Sequence, residues 1–450
     1  MSTLPVELLR EIAVYLSTSD LAILRLAATI LREIVDPLFF SVLSLPSNRL
    51  HLRKAADFLR ALGSGKTGWS SHATALVVLT AKDEVQDSDD LVAPRSVLAA
   101  MPDLLVSAIH SCPRLNSFRF SGFWDPNWLY DILCKCVLDA SNPRYLDIQH
   151  NAFTPSLPSL QGLSTLKVST PLFILPPRRR RGIVVKATPH WPRSHMLDAP
   201  LPSPITLDQQ VADIVRNSRQ LRVLHVVGGD SWDGVWKLLR DTPCSLVSLT
   251  TDLVSPALVE YLKSSSGLER LVLRRREDQA ADADADVLFH EFFNDALPMH
   301  RKTLRVLRCQ QWFFETHNAK TLAQLDCLTD LEMRVREADV LTRNADNNAV
   351  GLVLQTIAQL ERLERVALLN EPDSSYNHRD EVQAAVDVYL PHFPALALLD
   401  YPHDVFERAQ WDWIDVALDV DGPDDEDSNA DLVWMYLRQS FVWTACVARV

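Results

Sequence analysis

The sequence predicts an α/β protein: a short N-terminal three-helix module, then an irregular solenoid with one strand and one helix per repeat, then a C-terminal helical cap. Three observations predict this class. Apolar residues recur at helical spacing in the first segment, a leucine motif returns along the middle, and several tryptophans lie near the C-terminus. Hydrophobic residues make up 47% of the 450 and charged residues 23%, which is the composition of a folded globular protein.

Residues 1–45 are predicted to form the helical module. Pro5 suits the first position of a helix, where its missing N–H would have no partner, and Glu7 places a negative charge at the positive end of the helix dipole. One apolar stripe follows at helical spacing: Leu8, Leu9, Ile12, Ala13 and Leu16. A module this small buries little apolar surface, so some of its leucines are expected to contact a partner.

Two further helices are predicted in this module. Ser17, with Asp20 three residues later, marks the start of the second helix. The third is predicted from Thr29 to Val35, ending before Pro37, because proline disfavours helical geometry in the residue that precedes it. Periodicity alone fits an ordinary N-terminal helical cap on a larger domain equally well.

The motif Leu4–Pro5–Val6–Glu7–Leu8–Leu9, with Ile12, the Asp20–Leu21 step and the closing Pro37–Leu38–Phe39–Phe40, resembles the F-box family over about residues 3–43. The resemblance implies binding to a Skp-type adaptor and, through it, to the cullin scaffold of a cullin-RING ubiquitin ligase. The residues that would face the adaptor, or hold the helices that do, are Leu4, Pro5, Leu8, Ile12, Leu16, Leu21 and Leu24. Many family members carry a tryptophan in the third helix, and residues 29–35 have none.

Residues 71–410 are predicted to form the repeat array. Its motif is a leucine, two residues, a leucine or similar residue, one residue and a further apolar residue. The copies begin at Leu115, Leu163, Leu221, Leu246, Leu268, Leu304, Leu328, Leu363 and Leu396, with a degenerate copy at Tyr145–Ile148. Several intervals match the roughly 20–29 residues of a leucine-rich repeat, and the longer ones require insertions. Each short strand can bury its leucines only by stacking on its neighbours, which favours a curved solenoid over an ordinary α/β domain with leucine-rich strands.

Three other segments complete the predicted organisation. Residues 46–70 are expected to be a linker helix and a Gly/Ser turn, and 411–450 a C-terminal cap whose aromatic residues cover the open end of the core. Residues 169–206 are rich in proline and contain Arg178–Arg181, which predicts an insertion loop leaving the array. The four arginines are interpreted as a solvated charge cluster, with nuclear import or an acidic partner as alternatives.

The net charge and the spacing of the cysteines argue against several classes of protein. The net charge of −13 argues against general binding to nucleic acid or anionic membranes, which requires a basic surface. The seven cysteines show no spacing typical of disulfide frameworks or metal sites. Charged residues interrupt the first apolar stripe and no apolar stretch approaches about 18 residues, so neither a secretory signal nor a membrane span is predicted. The expected location is cytoplasmic, nuclear or both.

Three partial matches to catalytic or ligand-binding motifs lack a necessary residue. Gly63–Thr67 resembles the end of a phosphate-binding loop, but the predicted helix precedes it and a strand follows, the reverse of the required order. His290–Asn294 lacks the second histidine of a zinc-protease helix, and the alternating acidic residues from Asp282 lack the glycine of a calcium loop. No catalytic centre, cofactor or metal site is predicted.

The resulting hypothesis is a non-enzymatic substrate-recognition subunit of an F-box-type cullin-RING ubiquitin ligase. The N-terminal helices would bind the adaptor, and the concave strand face of the solenoid would bind an unidentified protein substrate. The alternative is a ligase-independent leucine-rich-repeat scaffold in which the first helices only cap the array. A third possibility is an ATPase built around Lys66.

Overall fold

The computed structural model describes residues 4–79, 93–122, 127–150, 157, 160–169, 206–242, 244–276, 285–315, 318–336, 348–369, 383, 385, 387–389, 398–401, 404–407 and 413–414. These residues fall into two units, residues 4–41 and Val42–Ile414. Asp282 and Asp284 of the alternating acidic residues, nearly all of the Pro/Arg-rich insertion and most of the C-terminal cap lie outside the described residues.

The first unit contains the helices α1 (Val6–Val14), α2 (Thr18–Ala27) and α3 (Thr29–Phe39). The Ser17 side chain accepts a hydrogen bond from the Asp20 backbone N–H and so caps α2, because the first N–H groups of a helix have no partner within it. The main buried cluster of this unit is small: Ala13, Leu21 and Val35, with Leu16, Leu24, Leu38 and Phe39 packed against it. Ile34 and Phe40 are also buried.

Helix α3 differs from the prediction, since it does not end before Pro37 but continues to Phe39. The Phe40 N–H donates to the Asp36 carbonyl at 3.0 Å, so helical hydrogen bonding resumes beyond the proline. Arg25 Nε on α2 donates to Asp36 Oδ1 at 2.5 Å. This ion pair holds the turn against α2, and tertiary packing thereby overrides the local preference of the residue before proline.

The second unit is built on one sheet whose fourteen described strands pair in chain order. Neighbours from β1 to β12 run parallel, whereas β12, β13 and β14 are antiparallel. The strands are β1 (Val42–Pro46), β2 (Ala75–Leu79), β3 (Ser117–Gly122), β4 (Tyr145–His150), β5 (Thr165–Ser169), β6 (Val223–Val227), β7 (Ser248–Thr251), β8 (Arg270–Leu273), β9 (Val306–Phe313), β10 (Asp330–Arg334), β11 (Arg365–Leu369), β12 (Leu398–Tyr401), β13 (Asp404–Glu407) and β14 (Trp413–Ile414).

Helices occupy most of the connections, because parallel neighbours require a crossover. They are α4 (Arg53–Gly63), α5 (Gly68–His72), α6 (Arg95–Ala99), α7 (Met101–His110), α8 (Asn127–Asp139), α9 (Leu207–Asn217), α10 (Asp233–Asp241), α11 (Pro256–Ser264), α12 (Ala285–Glu291), α13 (Ala319–Leu322) and α14 (Ala349–Ile357). Short 3₁₀ turns span Ser47–Arg49 and Leu297–His300, and a π turn spans Phe292–Ala296. Successive helices pack on one another as a layer over one face of the sheet. Helix α7 packs on α4 and on α8, and helix α10 packs on α9 and on α11.

The register of the sheet aligns the repeated apolar residues in two columns under this helical layer. The first column is fully buried along its described length: Leu43, Leu76, Phe118, Leu146, Leu166, Leu224, Leu249, Leu271, Leu307, Leu331 and Val366. The second lies two residues later in each strand and is buried from Leu45 on β1 to Leu368 on β11. The predicted α/β class is confirmed, and its core is one continuous cluster.

Both ends of the sheet extend beyond the predicted strands. Strand β1 lies partly inside the segment 1–45, and residues 46–70 contribute Leu59 and Leu62 of α4 to the sheet core. Strands β13 and β14 were also not predicted. These strands are short, and β1 lacks the leading leucine that marks the other repeats, so the sequence pattern did not reveal them. No helix within the described residues is long and apolar enough to cross a membrane.

Candidate functional site

An apolar stripe on α1 faces away from the core of the first unit. We call the set Leu4, Leu8, Ile12 and Tyr15 the outer stripe; these residues are 53%, 44%, 49% and 84% exposed. Their spacing places them on one side of the helix, whereas Ala13 and Leu16 pack inward. Exposed apolar residues on one contiguous helix face are typical of a protein-interaction surface.

The seven residues predicted for adaptor binding divide into two groups in this unit. Leu4, Pro5, Leu8 and Ile12 are exposed, and Pro5 is the N-cap of α1. Leu21 is buried in the core, with Leu16 and Leu24 half-buried beside it. The first group is therefore available for contact, whereas the second holds the three helices together.

A second exposed apolar set lies on α2 and the start of α3, and the sequence analysis missed it. It consists of Ile23, Leu26 and Ile30, all more than half exposed. Ile23 and Leu26 share a face of α2, but Leu21 and Leu24 on the same helix lie in or against the core, and no helical spacing relates either residue to Ile30 on α3.

In the second unit, the face of the sheet opposite the helices carries the polar side chains that alternate with the buried columns. We call it the polar face. Its central row runs across the sheet in register and includes Arg119, Asp147, Lys167, His225, Thr250, Arg308 and Glu332. None of these residues belongs to a motif that predicts a site from the sequence. The signal was present, because each stands between the last two apolar positions of a repeat, and alternation along a strand sends it to the other face.

Asp147 anchors a small network on the first half of the polar face. It is only 3% exposed; the Tyr145 hydroxyl donates to Asp147 Oδ2 at 3.2 Å, and Arg119 Nε lies 3.5 Å from the same oxygen. Burial raises the pKa of the Asp147 carboxyl, an effect opposed by Lys167 and Arg119. Burial also lowers the pKa of Lys167, whose ammonium lies 5.4 Å from the centre of the Tyr145 ring.

His225 lies at the centre of the polar face, on β6. Its Nε2 is 3.0 Å from Ser169 Oγ on β5. Burial lowers the pKa of His225 to about 3, and the positive charges of Arg274, Lys167 and Arg270 add to this effect. The imidazole is therefore neutral at pH 7 and reports a positive potential from the strands around it.

Strands β9 to β11 carry a network of ion pairs around Asp330. Arg308 Nη2 donates to Asp330 Oδ2 at 3.0 Å, and Arg365 Nη1 donates to the same oxygen at 3.4 Å from the other side. Arg308 Nε also lies 3.8 Å from Glu332 Oε2, and Gln310 Nε2 donates to Glu332 Oε1 at 2.6 Å. Neighbouring strands thus alternate basic and acidic side chains, which orders the long arginine side chains.

A bulge interrupts this part of the sheet at the C-terminal end of β9. The pairing moves from Met333 opposite Cys309 to Arg334 opposite Phe313, which leaves residues 310–312 out of register. Gln311 Nε2 donates to the carbonyls of Asp252, at 2.8 Å, and of Arg274. The bulge therefore contacts the ends of β7 and β8, as bulges near binding sites often re-aim side chains.

Arginines and one aromatic ring surround the bulge. The guanidinium of Arg334 lies 4.2 Å from the centre of the Phe313 ring and that of Arg336 lies 5.3 Å from it. Arg336 Nη2 donates to Glu315 Oε1 at 2.9 Å. Arg276 Nη1 donates to the Gly229 carbonyl at 2.7 Å. This end of the polar face is rich in oriented guanidinium groups.

The residues of the partial catalytic motifs lie in a turn and at the end of a core helix. Gly63–Thr67 forms the exposed turn between α4 and α5, so a helix precedes it, and Lys66 is exposed. His290 lies near the end of α12, and the following Phe292 and Phe293 pack into the core. Burial raises the pKa of the Cys134 thiol to about 11 and that of Cys309 to about 12, which keeps both protonated at neutral pH. Across the residues with described positions, no group of three His, Cys, Asp or Glu side chains could hold a metal ion.

No protein-family model and no curated protein matches this chain. Its function is therefore argued from the two surfaces described above.

Proposed function

We propose that this chain is the substrate-recognition subunit of an F-box-type cullin-RING ubiquitin ligase. In this proposal α1–α3 bind a Skp-type adaptor and, through it, the cullin scaffold, while the second unit is an irregular leucine-rich-repeat solenoid that binds a protein substrate. The chain performs no bond chemistry. It raises the local concentration of substrate lysines near the conjugating enzyme, in the cytoplasm, the nucleus or both.

The outer stripe of α1 is the observation that carries the adaptor half of the proposal. Leu4, Leu8 and Ile12 belong to the motif that resembles the F-box family, and all three are exposed. In the described part of the first unit the buried cluster has three apolar residues, with Ile34 and Phe40 buried outside it, so exposing this many other apolar residues has a cost that a partner would remove. Fully burying an exposed leucine side chain contributes about 1.5–3 kcal/mol. These three side chains are already about half buried, so their burial would supply only part of the free energy of an adaptor interface.

The order and register of the strands support the receptor half of the proposal. Parallel strands in chain order, each followed by a crossover, are the arrangement that stacked strand–helix repeats produce. Leu166, Leu224, Leu249 and Leu271 stand directly opposite one another on successive strands, as repeats of one motif require. Such a stack leaves a broad polar face for a protein ligand.

The adaptor half is tested by co-purifying the full chain with a Skp-type adaptor and comparing it with the Leu8→Asp/Ile12→Asp variant. Each new carboxylate would be buried in an apolar contact, which costs several kcal/mol, so the complex should be lost. Val287→Asp/Met299→Asp is the matched control, since it makes the same change at two exposed apolar positions of the second unit and should leave adaptor binding intact.

Circular dichroism of all three proteins shows whether each remains folded. If the folded intact chain does not bind the adaptor, the ligase proposal is wrong and the ligase-independent scaffold becomes the better account. Loss of binding in both double variants would assign the effect to added charge rather than to the outer stripe. Nucleotide binding abolished by Lys66→Ala would instead favour the ATPase.

A further inference from the structure

We propose that exposed arginines at the edge where the parallel strands begin bind an acidic segment of a partner protein, recognised through its aspartate and glutamate side chains. We call this surface the basic rim. It lies on the connections that lead into β3, β4 and β6 and comprises Arg114, Arg144, Arg219 and Arg222, all exposed. The basic rim is on an edge of the sheet, whereas the proposed function places the protein substrate on the polar face, so binding at the rim does not depend on the ligase.

Backbone hydrogen bonds align these connections in one row along the edge of the sheet. The Arg144 N–H donates to the Asn116 carbonyl at 2.8 Å. The Ser164 N–H donates to the Arg144 carbonyl, and the Arg222 N–H donates to the Ser164 carbonyl, both at 2.9 Å. Arg144 and Arg222 therefore stand on either side of Ser164, and a strand spacing of about 4.8 Å separates their backbones by about 10 Å.

Positive charge is concentrated in this part of the edge. Four segments lead into β3 to β6: 111–116, 140–144, 160–164 and 218–222. Together they contain four arginines and no other charged residue. The segments that lead into β8 to β11 contain four basic and four acidic residues: 265–269, 301–305, 323–329 and 358–364. A local positive surface on a chain with a net charge of −13 attracts an anionic segment to one position.

The guanidinium groups of the basic rim are available to a ligand. In the described part of the chain none of the four forms an ion pair or donates a hydrogen bond to a helix carbonyl, so helix capping does not account for them. Acidic residues on the adjoining helices have other neighbours. Asp139 Oδ2 on α8 lies 3.4 Å from His110 Nε2, and Asp213 Oδ1 on α9 accepts from the Arg216 guanidinium at 2.6 Å.

The geometry of the basic rim suits an extended peptide that runs along the edge. An extended peptide places alternate side chains about 7 Å apart, a spacing that two long arginine side chains can reach from backbones about 10 Å apart. A guanidinium group binds a carboxylate through two parallel hydrogen bonds, which selects aspartate and glutamate. The exposed amides of Asn142 and Gln161 lie in the same segments and can pair with peptide groups, because each carries a donor and an acceptor.

The composition of the basic rim favours a peptide over a nucleic acid. Single-stranded nucleic acids are bound largely by aromatic side chains that stack on the bases, and the four segments that lead into β3 to β6 contain no aromatic residue. The net charge of −13 also repels a long polyanion, which would extend beyond the rim. A short acidic segment has to reach only the arginines.

The test measures fluorescence anisotropy of a fluorescein-labelled peptide with the full chain. Alternating glutamate and serine over about eight residues would cover the edge from β3 to β6. We expect micromolar binding that weakens about tenfold or more in Arg144→Gln/Arg222→Gln, because each substitution removes a charge-assisted contact. Both side chains are exposed, so this variant should fold. Arg305→Gln/Arg362→Gln is the matched control, since it removes the same charge from the part of the edge where acidic residues balance it, and it should bind like the unaltered chain.

Binding should weaken when salt is raised and should be lost when glutamine replaces glutamate in the peptide. The proposal would be overturned by no binding to the unaltered chain, by unchanged binding in Arg144→Gln/Arg222→Gln, or by equal weakening in both double variants. Tighter binding of a single-stranded oligonucleotide or of phosphatidylserine vesicles, lost in the same variant, would also overturn it, because the rim would then recognise phosphate groups.

Adaptor co-purification of the same proteins separates the basic rim from the proposed function. The Arg144→Gln/Arg222→Gln protein should bind the adaptor as the unaltered chain does. Peptide binding by a chain that does not bind the adaptor would keep the basic rim and remove the ligase.

Discussion

At the scale of single residues, His225 has the most informative environment. Its folded pKa of about 3 lies below the ordinary value of 6.5, because the side chain is buried and faces Lys167 on β5 and Arg270 and Arg274 on β8. Between those two values the unfolded chain binds a proton that the folded protein does not. Folding stability therefore falls as the pH falls from 6.5 towards 3.

The first prediction is that His225→Gln reduces this pH dependence. Glutamine keeps a hydrogen-bonding group near Ser169 Oγ and cannot gain a proton, so the variant should lose less stability than the unaltered chain between pH 7 and pH 5. Urea unfolding at both pH values measures the difference, and carboxylates such as Asp147 contribute equally to both proteins. Equal losses of stability would show that His225 is protonated normally. NMR provides a direct check, since the imidazole resonances should not shift between pH 7 and pH 5.

Some residues of the two candidate surfaces could be predicted from the sequence and others could not. Leu4, Leu8 and Ile12 were selected from a motif and are exposed, because a motif read at helical spacing identifies a face of one helix. Arg274 and Arg336 were not selected. They follow β8 and β10, which lie on either side of β9 in the sheet, and no local spacing in the sequence relates residues of separate strands.

At the scale of elements, the first buried column predicts how much stability is lost when one of its leucines is truncated. Leu249 on β7 is fully buried between Leu224 and Leu271. We expect Leu249→Ala to lower the free energy of unfolding by about 2–5 kcal/mol, because it removes apolar contacts and leaves a cavity. Leu138 on α8 is half exposed, and Leu138→Ala should cost less than about 1 kcal/mol. Similar costs in urea unfolding would contradict the register described here.

Elements also differ in how well their bounds can be predicted. Strands with three apolar residues at fixed spacing were placed correctly, because that pattern repeats along the chain. Helix α3 was predicted too short, since the rule for proline is local whereas the Arg25–Asp36 ion pair that stabilises its last turn joins two helices. Strand β1 was missed because Leu43 and Leu45 alone form too short a pattern.

At the scale of the whole molecule, the strands of the sheet follow one another in chain order. This order predicts that a destabilising substitution in one strand has a local effect. Each described strand from β2 to β13 pairs with two neighbours, and the bulge of β9 also reaches the end of β7, so a cavity at one strand should weaken nearby strands more than distant ones. In Leu249→Ala, amide hydrogen exchange should accelerate in β6, β7 and β8, with little change in β2, β3 and β11. Uniform acceleration along the sheet would instead indicate that the unit unfolds as a single cooperative body.

The sequence by itself determined the α/β class and most of the parallel strands. The apolar residues that are buried in each strand are close together in the chain and recur at a fixed spacing. The motif that resembles the F-box family also selected Leu8 and Ile12, which are exposed, whereas helical spacing alone placed them in one stripe with the buried Ala13. The tertiary structure decided the continuation of α3 through Pro37, the strands at both ends of the sheet and the ion-pair network around Asp330. These features depend on side chains from separate strands and helices, and their interactions arise only when pairing places those elements side by side.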